Sequence, residues 1–277
     1  MLFNRTVPPI VMVRGGGDLA SGVAYRLHRA GFQIVVTELL APIMVRRRVS
    51  FAQAVYDGTC HVEDVVGKLA ASTIEAKQLM NDGKVAVLVD PKGETYHDFN
   101  LSGLVDGRMI KAGSDQQIDA TPCVIGLGPG FTVGLNCHTV VETKRGANLG
   151  RVYWQGGAEP DSGFPEPVNG MDEERVLHSP KDGTVLAHAQ IGDVVEPGIL
   201  IASVNGEPVY SRIKGVLRGL IQNGLEVKRG MKIGDVDPRC DARLCFQVSD
   251  KALAVGGGVL EAILTCLSSR KISEEEN

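Results

Sequence analysis

The sequence predicts an α/β protein in two parts, a parallel-sheet domain followed by a duplicated β module. Two observations support this fold class. The apolar run Ile10–Val13 leads into three glycines, Gly15–Gly17, and then into a segment with helical spacing. Residues 179–204 align with residues 211–236 at a constant offset of 32. Short apolar runs are typical of buried parallel strands, and a repeated small β unit implies that its two copies bury their apolar faces together.

Length and composition suit a folded globular protein of one large or two modest domains. The chain has 277 residues, of which 43% are hydrophobic, and a formal net charge of -4. We expect a Rossmann-like α/β domain with two glycine-rich loops at residues 1–170 and a β module at residues 171–240. A C-terminal segment at residues 241–277 is expected to contain a helix that packs back on the first domain.

The charge pattern gives no indication of a nucleic-acid or membrane surface, since such surfaces need clustered Lys and Arg. The one notable basic run, Arg46–Arg48, is interpreted as a solvated helix start, with an anion contact as the alternative. The apolar run Val7–Val13 contains two prolines and is shorter than the roughly 20 residues that span a bilayer. We therefore expect a cytoplasmic protein whose six scattered cysteines are reduced.

The first glycine loop has the surroundings of a dinucleotide-binding βαβ unit. A second apolar strand follows the helix, and Glu38 stands at its end, about 20 residues after the glycines. Glycines let the backbone approach a phosphate, the helix N-terminus offers N–H groups, and Glu38 is placed to accept hydrogen bonds from ribose hydroxyls. Asp18 either caps the helix or faces the ligand. Phosphate binding and a purely structural turn therefore remain alternatives.

A second glycine loop, Gly126–Gly130, also follows an apolar strand. Because parallel strands end at one edge of a sheet, both loops are expected to line one crevice. His138, Glu142 and Arg145 lie near the second loop and could hold an anion or move a proton, the alternative being an exposed polar strand face. The cofactor-binding candidates are Gly15, Gly16, Gly17, Asp18, Glu38, Gly126, Gly128, Gly130, His138, Glu142 and Arg145. No metal site is expected, because the Cys and His residues lack zinc-binding spacing, and no catalytic residue is identified.

The repeat contains a turn, Gly192–Gly198, that resembles the G-D-x-V-x-x-G turn of biotinyl and lipoyl domains. This resemblance implies a barrel-sandwich fold for the β module. In those domains the modified lysine lies on the hairpin that joins the halves. Here the hairpin has an Asn205–Gly206 turn and no lysine, so attachment of biotin or lipoate is not expected.

A series of motifs covers nearly the whole chain, and its parts occur in a fixed order. They are Arg14–Gly22, Arg46–Ala54, Ile125–Phe131, Val141–Gly146, Leu149–Arg151, Ile233–Arg239 and Gly256–Ala262. The series resembles the YqeB-like accessory proteins of the selenium-dependent molybdenum hydroxylase system, whose Rossmann part is similar to XdhC-type proteins. The resemblance implies a maturation protein for a molybdenum hydroxylase. Such a protein would bind a phosphate-containing ligand, a dinucleotide or a molybdopterin-type cofactor, at the glycine-rich loops.

The alternative is an NAD(P)-dependent oxidoreductase, or an enzyme that carries out a small step on a cofactor precursor. A glycine fingerprint with Glu38 is compatible with both functions. Turnover separates them, because an accessory protein binds its ligand without converting it.

Overall fold

The computed structural model describes residues 8–111, 113–160 and 173–275, with side chains as far as residue 269. Within these ranges nine strands form one large sheet, and eight more form two sheets of four strands. The large sheet consists of β1 (Ile10–Arg14), β2 (Gln33–Glu38), β3 (Thr59–Val62), β4 (Val65–Leu69), β5 (Val85–Val89), β6 (Leu101–Asp106), β7 (Val124–Leu127), β8 (Thr139–Val141) and β9 (Val152–Tyr153). The small sheets consist of β10 (Val176–His178), β11 (Gly183–Ala187), β12 (Val194–Val195), β13 (Leu200–Val204), β14 (Glu207–Tyr210), β15 (Gly215–Leu220), β16 (Glu226–Val227) and β17 (Lys232–Asp237). The α-helices are α1 (Asp18–Arg29), α2 (Ala54–Asp57), α3 (Thr73–Asn81) and α4 (Asp250–Glu275).

The large sheet has the order β3-β4-β5-β2-β1-β6-β7-β8-β9. Its seven inner strands are parallel, and β3 and β9 run antiparallel to their neighbours at the two edges. Strand β1 lies between β2 and β6, so the chain extends the sheet first to one side of β1 and later to the other. A crevice opens at the carboxyl ends of the strands where such a reversal occurs.

Successive side chains of an inner strand point to opposite faces of the large sheet. The core therefore has three layers, with the sheet between two apolar clusters. Val11 and Val13 belong to the cluster that includes α1 and α4, whereas Met12 belongs to the cluster that includes α3. All three side chains are fully buried.

Helices α1 and α4 approach each other closely because glycines lie between them. A Cβ on Gly22 would lie 2.5 Å from Ala252 Cβ, and one on Gly256 would lie 3.0 Å from the carbonyl oxygen of Gly22. In α4, residues Asp250–Ser269 are long and apolar enough to cross a membrane by length and composition. Their buried side packs on α1, β8 and β9, which accounts for an apolar helix in a folded core.

The two small sheets are equivalent strand by strand. Their orders are β10-β17-β15-β12 and β14-β13-β11-β16, and the offset of 32 residues relates each strand of one sheet to the corresponding strand of the other. Each copy of the repeat therefore contributes strands to both sheets. Lys214 pairs with Glu196 at 2.6 Å, and at the equivalent positions Asp182 pairs with Lys228 at 2.9 Å, so the signs of the charges are reversed.

The fold class expected from the sequence is wrong. The large sheet is mixed rather than parallel, because β3 joins through the tight β3–β4 hairpin and β9 returns antiparallel to β8. The repeat forms two antiparallel sheets, and these do not stand apart as a biotinyl- or lipoyl-type module. The backbone N–H of Leu220 in β15 donates to Val45 of the first part at 3.0 Å, and Arg47 donates to the Leu220 carbonyl at 2.7 Å.

Two further expectations concern the cysteines and the domain boundary. The expectation that all six cysteines are reduced is wrong, since Cys123 before β7 and Cys266 in α4 form a disulfide. The pairing could not be read from spacing, because the two residues are 143 positions apart. The boundary expected between residues 170 and 171 lies outside the described residues.

Candidate functional site

A cavity of about 320 Å³ lies at the carboxyl ends of β1, β2, β5 and β6. This is the place where the order of the sheet reverses around β1. The polar residues that line it are Arg14, Thr37, Glu38, Asp90, Arg108 and Asp18. Its apolar lining includes Leu39, Ile43, Met44 and Met109.

The first glycine loop forms the floor of this cavity. Gly15 adopts φ +87°, a conformation that favours glycine, and its N–H donates to the Thr37 carbonyl at 2.8 Å. A Cβ on Gly16 would lie 2.9 Å from Ala52 N, so packing requires glycine there too. Gly17 lines the cavity, and a Cβ on it would have nothing within 4 Å. The loop thus exposes its backbone to the cavity at Gly17.

Helix α1 begins at the cavity without a side-chain cap. Gly17 is the N-cap residue, and no side chain accepts a hydrogen bond from the first turn. The N-terminus of a helix carries N–H groups and a partial positive charge, which favour an anion. Capping by Asp18, one of the two roles considered from the sequence, does not occur.

Asp18 is instead paired with Arg46. Its carboxylate lies 3.4 Å from the Arg46 guanidinium, which is only 8% exposed and also donates to the carbonyls of Leu244 and Gln247. This pair balances the negative charge beside the helix N-terminus. The interpretation of Arg46 as a solvated side chain is wrong, and the anion it contacts is a carboxylate of the chain itself.

Glu38 is fixed at the end of β2 by backbone donors. Gly16 N–H donates to Oε1 at 2.6 Å and Leu39 N–H donates to Oε2 at 2.7 Å. Burial raises the pKa of Glu38 above its ordinary value, although these two hydrogen bonds oppose the change. The carboxyl group also lines the cavity, where it remains able to accept from a hydroxyl.

Two arginines on the other side of the cavity are held by carboxylates and amides. Arg108 binds Asp106 through Nε and Nη2 at 2.9 and 2.6 Å and also pairs with Asp115. Arg14 donates to Gln116 Oε1 at 2.8 Å and to the carbonyl of Lys92 at 2.7 Å. Both guanidinium groups are thereby positioned before any ligand arrives.

The second glycine loop does not line this cavity. It follows β7, two strands from β1, and its glycines make close contacts within the protein. A Cβ on Gly126 would lie 2.1 Å from the Phe131 ring, and one on Gly130 would lie 2.2 Å from the Ile110 carbonyl. Gly128 has φ +81° and faces Thr143. These contacts account for the three glycines by packing and turn geometry.

His138, Glu142 and Arg145 each serve a different structural contact. His138 Nδ1 accepts a hydrogen bond from Val124 N–H at 3.0 Å. The fully buried Glu142 accepts three backbone N–H bonds, from Thr143, Lys144 and Glu159. Arg145 forms two 2.6 Å bonds to Asp250 at the start of α4, which hold the pKa of that carboxyl below its ordinary range.

Of the eleven residues expected to bind a cofactor, the structure brings together Gly15, Gly17, Asp18 and Glu38 at the cavity, with Gly16 directly beneath. Sequence reasoning missed Arg14, Arg108 and the role of Arg46. Within the described residues, no group of three or more His, Cys, Asp or Glu side chains is arranged to hold a metal ion.

Comparison with known proteins gives one extensive similarity. The chain is 42% identical over 255 residues to Uncharacterized protein YqeB of Escherichia coli (strain K12). This similarity extends over nearly the whole chain but over only part of the relative. It covers 92% of the chain and 47% of the relative, so the chain spans about half the length of that protein. No protein-family model matches the chain.

Similarities to solved structures are weak. The chain is 12% identical to the apo form of the ectoine utilization protein EutE (DoeB) from Ruegeria pomeroyi, with a TM-score of 0.26. The alignment covers 83% of this chain and 86% of the EutE chain. An aspartoacylase family protein from Mesorhizobium loti is 13% identical, with a TM-score of 0.27, and covers 84% and 86%. Similarities of this size support no conclusion about activity.

Proposed function

We propose that the chain is an accessory protein for a molybdenum hydroxylase that binds a nucleotide or molybdopterin-type cofactor in the cavity at the end of β1. The observation that carries the proposal is the uncapped N-terminus of α1, which opens into this cavity beside Gly17. Backbone N–H groups and the helix dipole together favour a phosphate at that point.

The remaining walls of the cavity suit the other parts of such a ligand. Glu38 offers carboxylate oxygens to hydroxyl groups, as on a ribose. Leu39, Ile43 and Met109 are 44%, 52% and 37% exposed, and they form an apolar surface on which a flat ring can pack. Ligand sites commonly combine an apolar wall with a few fixed polar groups.

The assignment to molybdenum hydroxylase maturation, and to its selenium-dependent form, is supported by the motif series of the sequence. We further propose a cytoplasmic location, where the partner hydroxylase would receive the cofactor.

The binding proposal is tested with Gly17→Val. Because a Cβ at this position has nothing within 4 Å, the variant is expected to fold, while its side chain projects towards the phosphate position. Calorimetry with the ligand identified by native mass spectrometry, or with ADP and NAD as probes, should show at least tenfold weaker binding, a loss of ~1.4 kcal/mol.

Gly257→Val is the matched control, since a Cβ on Gly257 also has nothing within 4 Å and this glycine lies on the exposed side of α4. Its affinity should equal that of the wild type. Equal affinity in a folded Gly17→Val protein would contradict the site. Multiple turnovers of NAD(P)H with a carbonyl substrate would favour the oxidoreductase alternative over the accessory role.

A further inference from the structure

A second cleft, of about 550 Å³, lies between the edge strands β10 and β14 of the two small sheets. It is separate from the cavity at the end of β1 and shares no lining residue with it. Its floor is apolar, formed by Leu177 and Val209, which are 2% and 8% exposed. Its rim carries Arg212 and Arg229.

The two rim arginines differ from those around the first cavity. Neither the Arg212 nor the Arg229 side chain forms an ion pair or a hydrogen bond within the described residues, and both residues are exposed. By contrast, Arg14, Arg46 and Arg108 are all bound to carboxylates or amides of the chain. Two unpaired guanidinium groups on one cleft form an anion-attracting rim.

The repeat shows that the fold does not require these charges. The positions equivalent to Arg212 and Arg229 in the other copy are Pro180 and Pro197. The contact after each of these turns is the same in both copies, because Gly198 N–H donates to the Ser211 carbonyl at 2.9 Å and Gly230 N–H donates to the Ser179 carbonyl at 2.8 Å. The Arg229 N–H also donates to Asp182 Oδ1 at 2.8 Å, a bond that Pro197 cannot make. Since proline occupies the equivalent positions, neither turn requires a guanidinium group.

The remaining polar groups of the cleft suit an organic anion. His178 and Tyr210 occupy equivalent positions on β10 and β14, and Tyr210 is 49% exposed. Burial and the nearby charges of Lys232 and Arg212 lower the pKa of His178, while Glu173 opposes the change. An imidazole and a phenol offer hydrogen bonds and ring contacts beside the arginines.

We propose that this cleft binds a small organic phosphate, with Arg212 and Arg229 on the phosphate and Tyr210 and Val209 against the apolar part. Guanidinium groups match phosphate through paired N–H donors. The apolar floor distinguishes such a ligand from a bare inorganic ion. This second site does not depend on the ligand of the first cavity.

The test uses phenyl phosphate and inorganic phosphate as probes of the full chain, at constant ionic strength, by titration in NMR spectroscopy. Phenyl phosphate should bind more tightly than inorganic phosphate. The double variant Arg212→Gln, Arg229→Gln should bind phenyl phosphate at least tenfold more weakly. Arg29→Gln is the matched control, because Arg29 is an exposed arginine of the first part, and its affinity should be unchanged.

Gly17→Val separates the two sites, because it should leave phenyl phosphate binding at this cleft intact. Undiminished binding by the folded double variant would overturn the proposal. So would binding of an acidic peptide in place of either phosphate, since that result would assign the cleft to a protein partner. Failure of nucleotides to bind the first cavity would affect the proposed function and leave this inference standing.

Discussion

Asp18 and Arg46 set the charge at the mouth of the first cavity. The carboxylate lies on the first turn of α1, where a phosphate is expected, and would repel it without a partner. Arg46 supplies the balancing charge from a buried position. We infer that Arg46 acts on a ligand through Asp18 and is a positioning residue.

The first prediction is tested by a double-mutant cycle on Asp18 and Arg46. Asp18→Asn should bind a nucleotide several-fold more tightly, because Arg46 then faces the phosphate with an unbalanced charge. Arg46→Met should bind it at least tenfold more weakly, about 1.4 kcal/mol. The combined variant should recover most of this loss in calorimetry. A combined variant that binds no more tightly than Arg46→Met alone would indicate a merely structural arginine.

The second prediction concerns Glu38 and pH. Its pKa is raised in the folded protein, mainly by burial, so its contribution to stability is full below its ordinary pKa and is lost as the pH rises through the raised value. The free energy of unfolding of the wild type, relative to Glu38→Gln, should therefore fall as the pH rises from the ordinary Glu pKa of about 4.3 through the raised pKa of Glu38. Urea titrations of both proteins across this range measure the difference, and a rising difference would contradict the assignment.

At the scale of single residues, the sequence identified Gly15, Gly17 and Glu38 because local order alone brings them together after β1 and β2. It missed the role of Arg46, whose partners Asp18 and Leu244 are 28 and 198 positions away. It also assigned a ligand role to Glu142, whose polarity is used by three backbone N–H groups. A buried acid that caps a loop has the same sequence signature as one that binds a ligand.

At the scale of elements, glycines determine how α1 and α4 pack, and this gives a third prediction. Gly22→Ala should destabilise the protein by roughly 1–3 kcal/mol, because the new methyl group overlaps Ala252 and Val248. Gly257→Ala should stabilise it by up to about 1 kcal/mol, since alanine is the better helix former and the site is open. Denaturant unfolding of the two variants measures both changes in the free energy of unfolding. If both variants were stabilised or both destabilised, the packing described would be contradicted.

The disulfide between Cys123 and Cys266 gives a fourth prediction for the same element. It ties α4 to the start of β7 across a long loop, which restricts the unfolded chain. Without reductant, Cys266→Ser should lose roughly 2–4 kcal/mol of stability. Adding reductant should lower the free energy of unfolding of the wild type to that of the variant and should leave the value of the variant unchanged. A wild type indifferent to reductant would show that the bond contributes nothing.

The sequence predicted β1, β2 and β7 because each is an apolar run next to glycines. It did not predict the antiparallel edges. Strand β9 has only two residues, and β3 joins β4 through a tight turn in which Glu63 has φ 53°. Such short edge strands carry little apolar periodicity. Parallel strands are joined by crossover segments, usually helices, which a sequence can show, whereas a tight hairpin has no such segment.

At the scale of the whole molecule, the small sheets are joined to the large one by the segment around Val45–Arg47. Our fifth prediction is that both parts unfold together, because Arg47 donates to Leu220 and to Gln222 across the junction. Fluorescence of Trp154, beside β9 and the single tryptophan of the chain, should give the same midpoint as circular dichroism. Arg47→Ala should lower both midpoints in parallel, whereas separate midpoints in the wild type would indicate independent parts.

The reversed ion pairs of the repeat make one copy acidic and the other basic at the contact they share. Asp182 and Glu196 belong to the first copy, and Lys214 and Lys228 belong to the second. Two first copies would bring carboxylates together, and two second copies would bring ammonium groups together. The two copies thus carry charges of opposite sign at their shared contact. These charges favour the pairing of a first copy with a second copy over the pairing of two identical copies.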